Sequence, residues 1–413
     1  MNLKLRLQLS AMMFLEYFIK GAWFVTLGTY LLKNLQADGL ELAQVFSTQS
    51  LGAVAAPFFI GFIADRYLNA ERVLAVLHLL GACLLTGMYL ADSVSSFYPY
   101  VLAYFIAYMS SLALANSIAF RHIQDTKRYF PGIRVWGTVG WITAGSAISL
   151  VFHWDNAASV DAGALRNTFL LASVCSLLLA TLSFLLPKTP PLLRKGDTRF
   201  TVAKALGLEA LVLLKNRGFL VFFVTAIVIC IPMSFYYQNA NPYLVHVGLS
   251  NPTAKMALGQ LSEALCLLAI PFLFAKLGYK RMILVGIAAW TIRYLLFAYG
   301  NHPDLAAMLI VAIILHGVCY DFMFVVGQIY TDTIAGAKYR SSAQGLVTVA
   351  MYGIGMLLGF WAAGGTSDYL EVHFSDNDYW KFLWITPAAM AFCCLLLFAF
   401  FFREQKTATE DRH

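Results

Sequence analysis

The sequence predicts an all-α integral membrane protein with twelve transmembrane helices in two six-helix halves. Three observations carry that expectation: the balance of apolar to charged residues, the number and length of the apolar stretches, and one polar segment midway along the chain. Of the 413 residues, 60% are hydrophobic and only 12% are charged, with a mean hydropathy of +0.69. A soluble domain carries roughly 25% charged residues, so this chain has too little polar surface to cover a water-soluble globule of its size. In lipid every backbone polar group must be satisfied within its own segment, and about 20 apolar residues suffice for a helix to cross.

Twelve stretches meet that requirement: Leu7–Leu32, Ala43–Ala64, Val73–Ala91, Phe97–Phe120, Ile133–Trp154, Thr168–Leu186, Gly218–Leu244, Met256–Leu277, Met282–Tyr299, Leu305–Tyr330, Ser341–Ala363 and Tyr379–Phe402. The first and tenth are longer than a bilayer needs, which implies tilt. The first is also too long and too aromatic for a cleaved signal peptide, and no small-residue cleavage site follows it.

Lysine and arginine set the orientation. With both termini cytoplasmic, the cytoplasmic segments hold 22 of the 29 Lys and Arg residues and the opposite side holds four. The positive-inside rule favours that topology, in a multi-pass protein of the bacterial inner membrane. It also accounts for the net charge of +7 by attraction to anionic lipid, with no nucleic-acid partner. The seven cysteines all fall inside predicted helices, none at metal-ligand spacing, so neither a disulfide nor a metal is expected. No cofactor motif and no nucleophile constellation is present. An enzyme is therefore not expected, and a monomer is.

The segment PKTPPLLRKGDTRF, from Pro187, combines three prolines with several charges and reads as a linker. The chain then divides into a first bundle over 1–187, a cytoplasmic linker over 188–217 and a second bundle over 218–413. The halves echo one another: PFFIGFIADRYLNAERVL from Pro57 and PFLFAKLGYKRMIL from Pro271 both run from an apolar helix end through a short basic turn into a new apolar helix. A six-plus-six parallel repeat is the arrangement of the major facilitator fold, which holds its substrate near the midplane between the halves. Within the first echo, Gly61, Ala64, Asp65, Arg66 and Arg72 resemble the G-x-x-x-D-R signature of that superfamily. The resemblance implies a cytoplasmic charge latch, made by Asp65, Arg66 and Arg72, that stabilises the outward-facing state. The second half has Lys276, Lys280 and Arg281 but lacks the acid.

Apart from Lys276 and Lys381 at span ends, six charged residues lie inside the spans: Glu16, Lys20, Arg134, Glu263, Arg293 and Asp321. An ionised side chain at mid-bilayer costs about 2.5–3.5 kcal/mol on insertion scales, so each needs a partner or a wet cavity. Glu16 and Lys20, four apart on one helix face, are expected to pair with each other. Arg134, Thr138 and Trp141 share a stripe of the fifth span and offer donors and a stacking ring. Gln260 and Glu263 stand side by side near the middle of the eighth span. Ser234, Tyr237, Gln238 and Asn241 form a polar stripe on the seventh, between Pro232 and Pro242. Arg293 reads as a structural partner of Asp304 or of the tenth-span acid, and His316 as a histidine satisfied by packing.

Across nearly its whole length the chain resembles the bacterial nucleoside:proton symporter family of the major facilitators. The pattern G-x-W-x-x-T-L-G-x-Y is met by Gly21, Trp23, Thr26, Leu27, Gly28 and Tyr30, and FPGIRVWGTVGW, LGLEALVLLKNR, QLSEALCLLAIPF, RYLLFAYG, HGVCYDF and SSAQGL follow in family order. The resemblance implies nucleoside import by proton symport with alternating access. Substrate would be held by Arg134, Thr138, Trp141, Ser234, Tyr237, Gln260, Glu263, Tyr320 and Asp321. The chain departs from the family at Ser234 and Tyr237, where a Gln and an Asn are expected, and at Lys20, where an apolar or aromatic residue is expected. These departures mark a less-characterised branch. A proton-coupled importer of another polar solute, such as a sugar or polyol, is the alternative reading.

Proton symport needs a group that is charged in one state and neutral in another. Burial raises a carboxylate's pKa and a neighbouring cation lowers it. Asp321, Glu263 and Glu16 are the candidates, with Asp321 preferred for coupling and Glu263 with Gln260 for the sugar hydroxyls.

Overall fold

The computed structural model describes residues 2–59, 68–191, 206–300 and 305–403, and among these all regular structure is helical. The long helices of the first half are α1 (Leu3–Gly21), α2 (Gly39–Phe59), α3 (Ala70–Leu90), α4 (Val94–His122), α5 (Thr126–Ser146) and α6 (Asn167–Leu185). Those of the second are α7 (Arg217–His246), α8 (252–277), α9 (279–299), α10 (Ala306–Gly336), α11 (Lys338–His373) and α12 (Asp376–Phe401). Each predicted span in the described residues coincides with one of them.

Local chemistry sets many of the boundaries. Side chains of Asn2, Ser93, Asp125 and Asn216 cap the first turns of α1, α4, α5 and α7, taking up N–H groups that a helix start leaves unpaired. Gly278 ends α8 with φ 66° and ψ −177°, and Gly336 ends α10 with φ 59° and ψ −171°. Only glycine reaches that region without strain, so two basic turns become sharp breaks.

Eight helical stretches among the described residues are long and apolar enough to cross a membrane, and the one spanning Pro252–Tyr299 holds both α8 and α9. The remaining helices, α1, α2 and α5, are the ones that carry Glu16 and Lys20, Gln49, and Arg134 with Thr138. They are less apolar because part of each serves the protein interior. Large apolar side chains such as Leu268, Phe272 and Phe400 are more than 70% exposed. In water such faces would drive association; against lipid tails they are at home.

With twelve long helices among the described residues, residues 2 and 403 fall at one end of the bundle. The halves meet along α2 with α11 and α5 with α8, and residues 27–29 after α1 also meet α7. Phe46 and Phe360 pack across the first at 5.5 Å between ring centres.

At the end away from the termini, polar contacts bind the halves together. Asp368 of α11 accepts the backbone N–H groups of Gly39 and Leu40 at the start of α2, at 2.5 and 3.1 Å. Asp155, just beyond α5, accepts the N–H of Thr253 at 3.0 Å in the first turn of α8. Ser149 donates to Asp155 and accepts the N–H of Ala254. The Thr29 hydroxyl donates to Asn241 at 2.5 Å.

Of the expected charge latch, Asp65 and Arg66 lie outside the described residues, as do Asp304 and residues 192–205 of the linker. Arg72 is exposed at the start of α3.

Candidate functional site

A partly open cavity lies between the halves, just inside the closed end, with about 490 Å³ of atom-free space. The first half contributes Phe24, Val25, Trp141 and Gly145; the second contributes Tyr236, Tyr237, Gln260 and His316, with Thr253, Met256 and Ala257. Backbone irregularities converge there. The first span loses its helix between Gly21 and Leu27, which brings Phe24 and Val25 to the wall. α10 is interrupted at Leu315 and takes a π-helical turn over Asp321–Val325. Such turns frequently mark functional sites.

Trp141, Tyr237 and Gln260, all expected at the site, line this cavity. Two aromatic rings and an amide are groups that can stack a flat ring and bond its edge. Arg134 lies further along α5, its guanidinium 4.0 Å from the centre of the Tyr17 ring on α1. A Cβ at Gly137 would come within 2.8 Å of both groups, so this stack requires glycine there. Thr138 is half-buried on the same helix.

Glu263 keeps 37% of its side chain accessible. Arg134 of the first half acts on it electrostatically, and it acts in turn on Asp321 of the second. Asp321 is fully buried, and neither of its carboxylate oxygens has a hydrogen-bond partner. An ionised carboxylate so placed is costly; breaking up a buried pair to leave one charge alone costs about 3–5 kcal/mol. Tyr320 beside it shares a 2.6 Å hydrogen bond with Tyr352 of α11.

Several sequence expectations need correction. Glu16 and Lys20 do not pair. The carboxylate of Glu16 is buried within the first half, 2.9 Å from Nε2 of His78 and accepting the Ser111 hydroxyl at 2.7 Å. Lys20 instead donates to Gln49 at 2.9 Å and lies 4.5 Å from the centre of the Phe24 ring. Four-residue spacing puts both on neighbouring faces, but α3 and α4 supply better partners to Glu16 than its own helix does. Ser234 is turned away from the cavity: its hydroxyl donates to Cys230 O and Met356 O, and it packs on Gly359 of α11. The stripe on α7 is thus divided among jobs. Tyr237 lines the cavity, Asn241 joins the closed end, and Gln238 is buried with its amide unpartnered.

Arg293 has no bond to Asp321. It donates to Nδ1 of His316 at 3.0 Å and lies 3.8 Å from the centre of the Tyr236 ring. His316 is not merely packed, since it forms part of the cavity wall. Together with Phe24, Tyr236 and Tyr17, it was missed as a site residue. Its sequence signal was its position five residues before the buried acid on the same helix.

Residues 1–407 match the family model described as "Nucleoside H+ symporter". YegT of Escherichia coli (strain K12) is 39% identical over 97% of this chain and 95% of its own length. The xanthosine permease of the same strain is 30% identical over 100% of this chain and 99% of its own. A mutant of the nucleoside transporter NupG, solved by crystallography, superposes with a TM-score of 0.87 at 26% identity, covering 97% of this chain and all of that one.

Proposed function

This chain belongs to the nucleoside H+ symporter family, and on that premise we propose that it imports nucleosides across the bacterial inner membrane by proton symport. The halves rock about the cavity, exposing it to one side at a time. Trp141 and Tyr237 sandwich the base, while Gln260, Glu263, Thr138 and Arg134 bond sugar hydroxyls and base edges. Asp321 carries the coupled proton.

The observation that supports this reading best is the burial of Asp321 without a partner, next in line to Glu263 and Arg134. A carboxylic acid at that place costs little. A carboxylate there must be met by a cation or by water, and alternating access supplies both on one side only. Proton loss is thereby tied to the arrangement of the halves.

With both termini cytoplasmic, the clasped end would face the periplasm. In the opposite state Asp65, Arg66 and Arg72 would hold the cytoplasmic end closed. We take the functional unit to be a lipid-embedded monomer with its halves at 1–187 and 218–413, joined by the linker 188–217.

Uptake of radiolabelled nucleosides and sugars into proteoliposomes tests the reading. Accumulation of nucleoside with acid outside, collapsed by a protonophore, is expected. Equal uptake with and without the gradient would overturn symport, and accumulation of sugars alone would overturn the substrate class.

A further inference from the structure

We infer that Arg293 holds His316 as the neutral tautomer protonated on Nε2, making it a fixed hydrogen-bond donor in the cavity wall that selects substrates presenting an acceptor there. The inference deepens the nucleoside reading and rests on it for the identity of the acceptor.

A guanidinium has five N–H donors and no acceptor. Its nitrogen lies 3.0 Å from Nδ1 of His316, so Nδ1 must accept and cannot carry a proton. The imidazole proton is then on Nε2. That atom lies 3.9 Å from the nearest Glu263 carboxylate oxygen, too far for a hydrogen bond. The donor is therefore unspent within the protein, and the ring belongs to the cavity wall with Gln260 and Trp141.

Arg293 is itself poorly served. It is fully buried, and its Nε and Nη2 have no hydrogen-bond partner. No carboxylate pairs with it among the described residues. Its cation is accommodated by the faces of Tyr236, Trp290 and Phe297 at 3.8, 5.3 and 5.9 Å. A purely structural role at this site would be met better by an apolar side chain, because a buried charge is expensive without a counter-charge. The expense makes sense if a permanent donor is needed behind His316. Arg293 is thus a positioning residue and His316 the residue that reads the substrate.

Two substrate classes follow. A nucleobase that turns a carbonyl oxygen or an unprotonated ring nitrogen towards His316 is accepted. An analogue with a C–H or N–H at that point leaves two hydrogens facing one another and is rejected.

The test has one spectroscopic and one binding arm. In protein labelled with ¹⁵N-histidine, the His316 signals are assigned by their loss in His316→Gln. Their nitrogen shifts are expected to report an unprotonated Nδ1 and a protonated Nε2. In Arg293→Met, which keeps the bulk without the donor, a mixture of tautomers is expected. A protonated Nδ1 in the unaltered protein, or an unchanged tautomer in Arg293→Met, overturns the proposal whatever the protein transports.

The binding arm uses deaza and desoxo nucleoside analogues as competitors of uptake. One analogue lacking a single acceptor is expected to bind about tenfold more weakly than its parent. His316→Phe should erase that difference. His316→Gln, whose amide nitrogen takes the place of Nε2, should preserve it better than His316→Asn. Discrimination unchanged in His316→Phe defeats the selection role. No nucleoside binding at all, with the expected tautomer, defeats the nucleoside reading and the acceptor assignment that rests on it, while leaving the Arg293 clamp in place.

Discussion

The carboxylate of Asp155 accepts the backbone N–H of Thr253 at 3.0 Å, so an acid of one half caps a helix of the other. Asp368 does the same for α2 in the reverse direction, through Gly39 and Leu40. The two contacts sit at the two helix pairs, α5 with α8 and α2 with α11, along which the halves meet. Each sets a negative charge against the positive end of a helix dipole, and Asp155 is only 2% exposed. The clasp is strong while closed, yet it opens without leaving two like charges face to face.

Asp155→Ala should shift the protein towards the state open at the clasped end. A hydrogen bond to a charged group contributes about 1.5–3 kcal/mol, enough to move a two-state equilibrium roughly 10- to 150-fold. Labelling of Ala257→Cys by an impermeant maleimide added from the periplasmic side should accelerate accordingly, in a background with the native cysteines replaced. An unchanged rate would show that the clasp does not control opening.

Asp321→Asn should abolish accumulation driven by a pH gradient while leaving exchange of substrate across the membrane. Asparagine resembles the protonated acid in shape and charge but cannot release a proton. Counterflow measured beside gradient-driven uptake separates the two activities, and full accumulation by the variant would remove Asp321 from the coupling role.

Trp141→Ala and Gln260→Ala distinguish a base-containing substrate from a sugar. Stacking of a base on an aromatic ring is worth about 1–3 kcal/mol, so Trp141→Ala should weaken nucleoside binding at least about fivefold. A polyol depends less on the ring and more on the amide. Binding constants from competition assays decide; a Gln260→Ala defect far larger than that of Trp141→Ala would favour the polyol.

His78→Ala should lower the melting temperature in detergent sharply, because it leaves Glu16 buried without its main partner, at a cost of about 3–5 kcal/mol. Glu16→Gln keeps most of the hydrogen bonding and should retain gradient-driven accumulation. Loss of accumulation in Glu16→Gln with normal thermal stability would return Glu16 to the list of proton carriers.

Much of this was legible in the sequence because lipid imposes simple rules. Long apolar stretches separated by charged turns gave helix positions that the described structure matches. Trp141, Tyr237 and Gln260 were recognisable as cavity residues because polar or amphipathic groups at mid-span are expensive unless used. The same argument identified Asp321, Glu263, Arg293 and Lys20 as needing an explanation, but not which explanation applied.

Pairing is where reading along one helix fails. Glu16 and Lys20 are neighbours in sequence, and helix geometry allows them to meet, yet Glu16 is matched by His78 and Ser111 from α3 and α4. Ser234 lies on the right stripe but rotates onto α11. Arg293 bypasses the acid on α10 and meets His316 one turn earlier.

By itself the sequence determined the solvent and the helices, since hydropathy and composition act locally and need no knowledge of neighbours, and its motifs carried the family resemblance. Only the tertiary structure decided which end is clasped, which charges have partners and which face of each helix meets the cavity. Those depend on distances of a few ångströms between helices far apart in the chain, and a shift of one residue in helix packing exchanges a partner for a void.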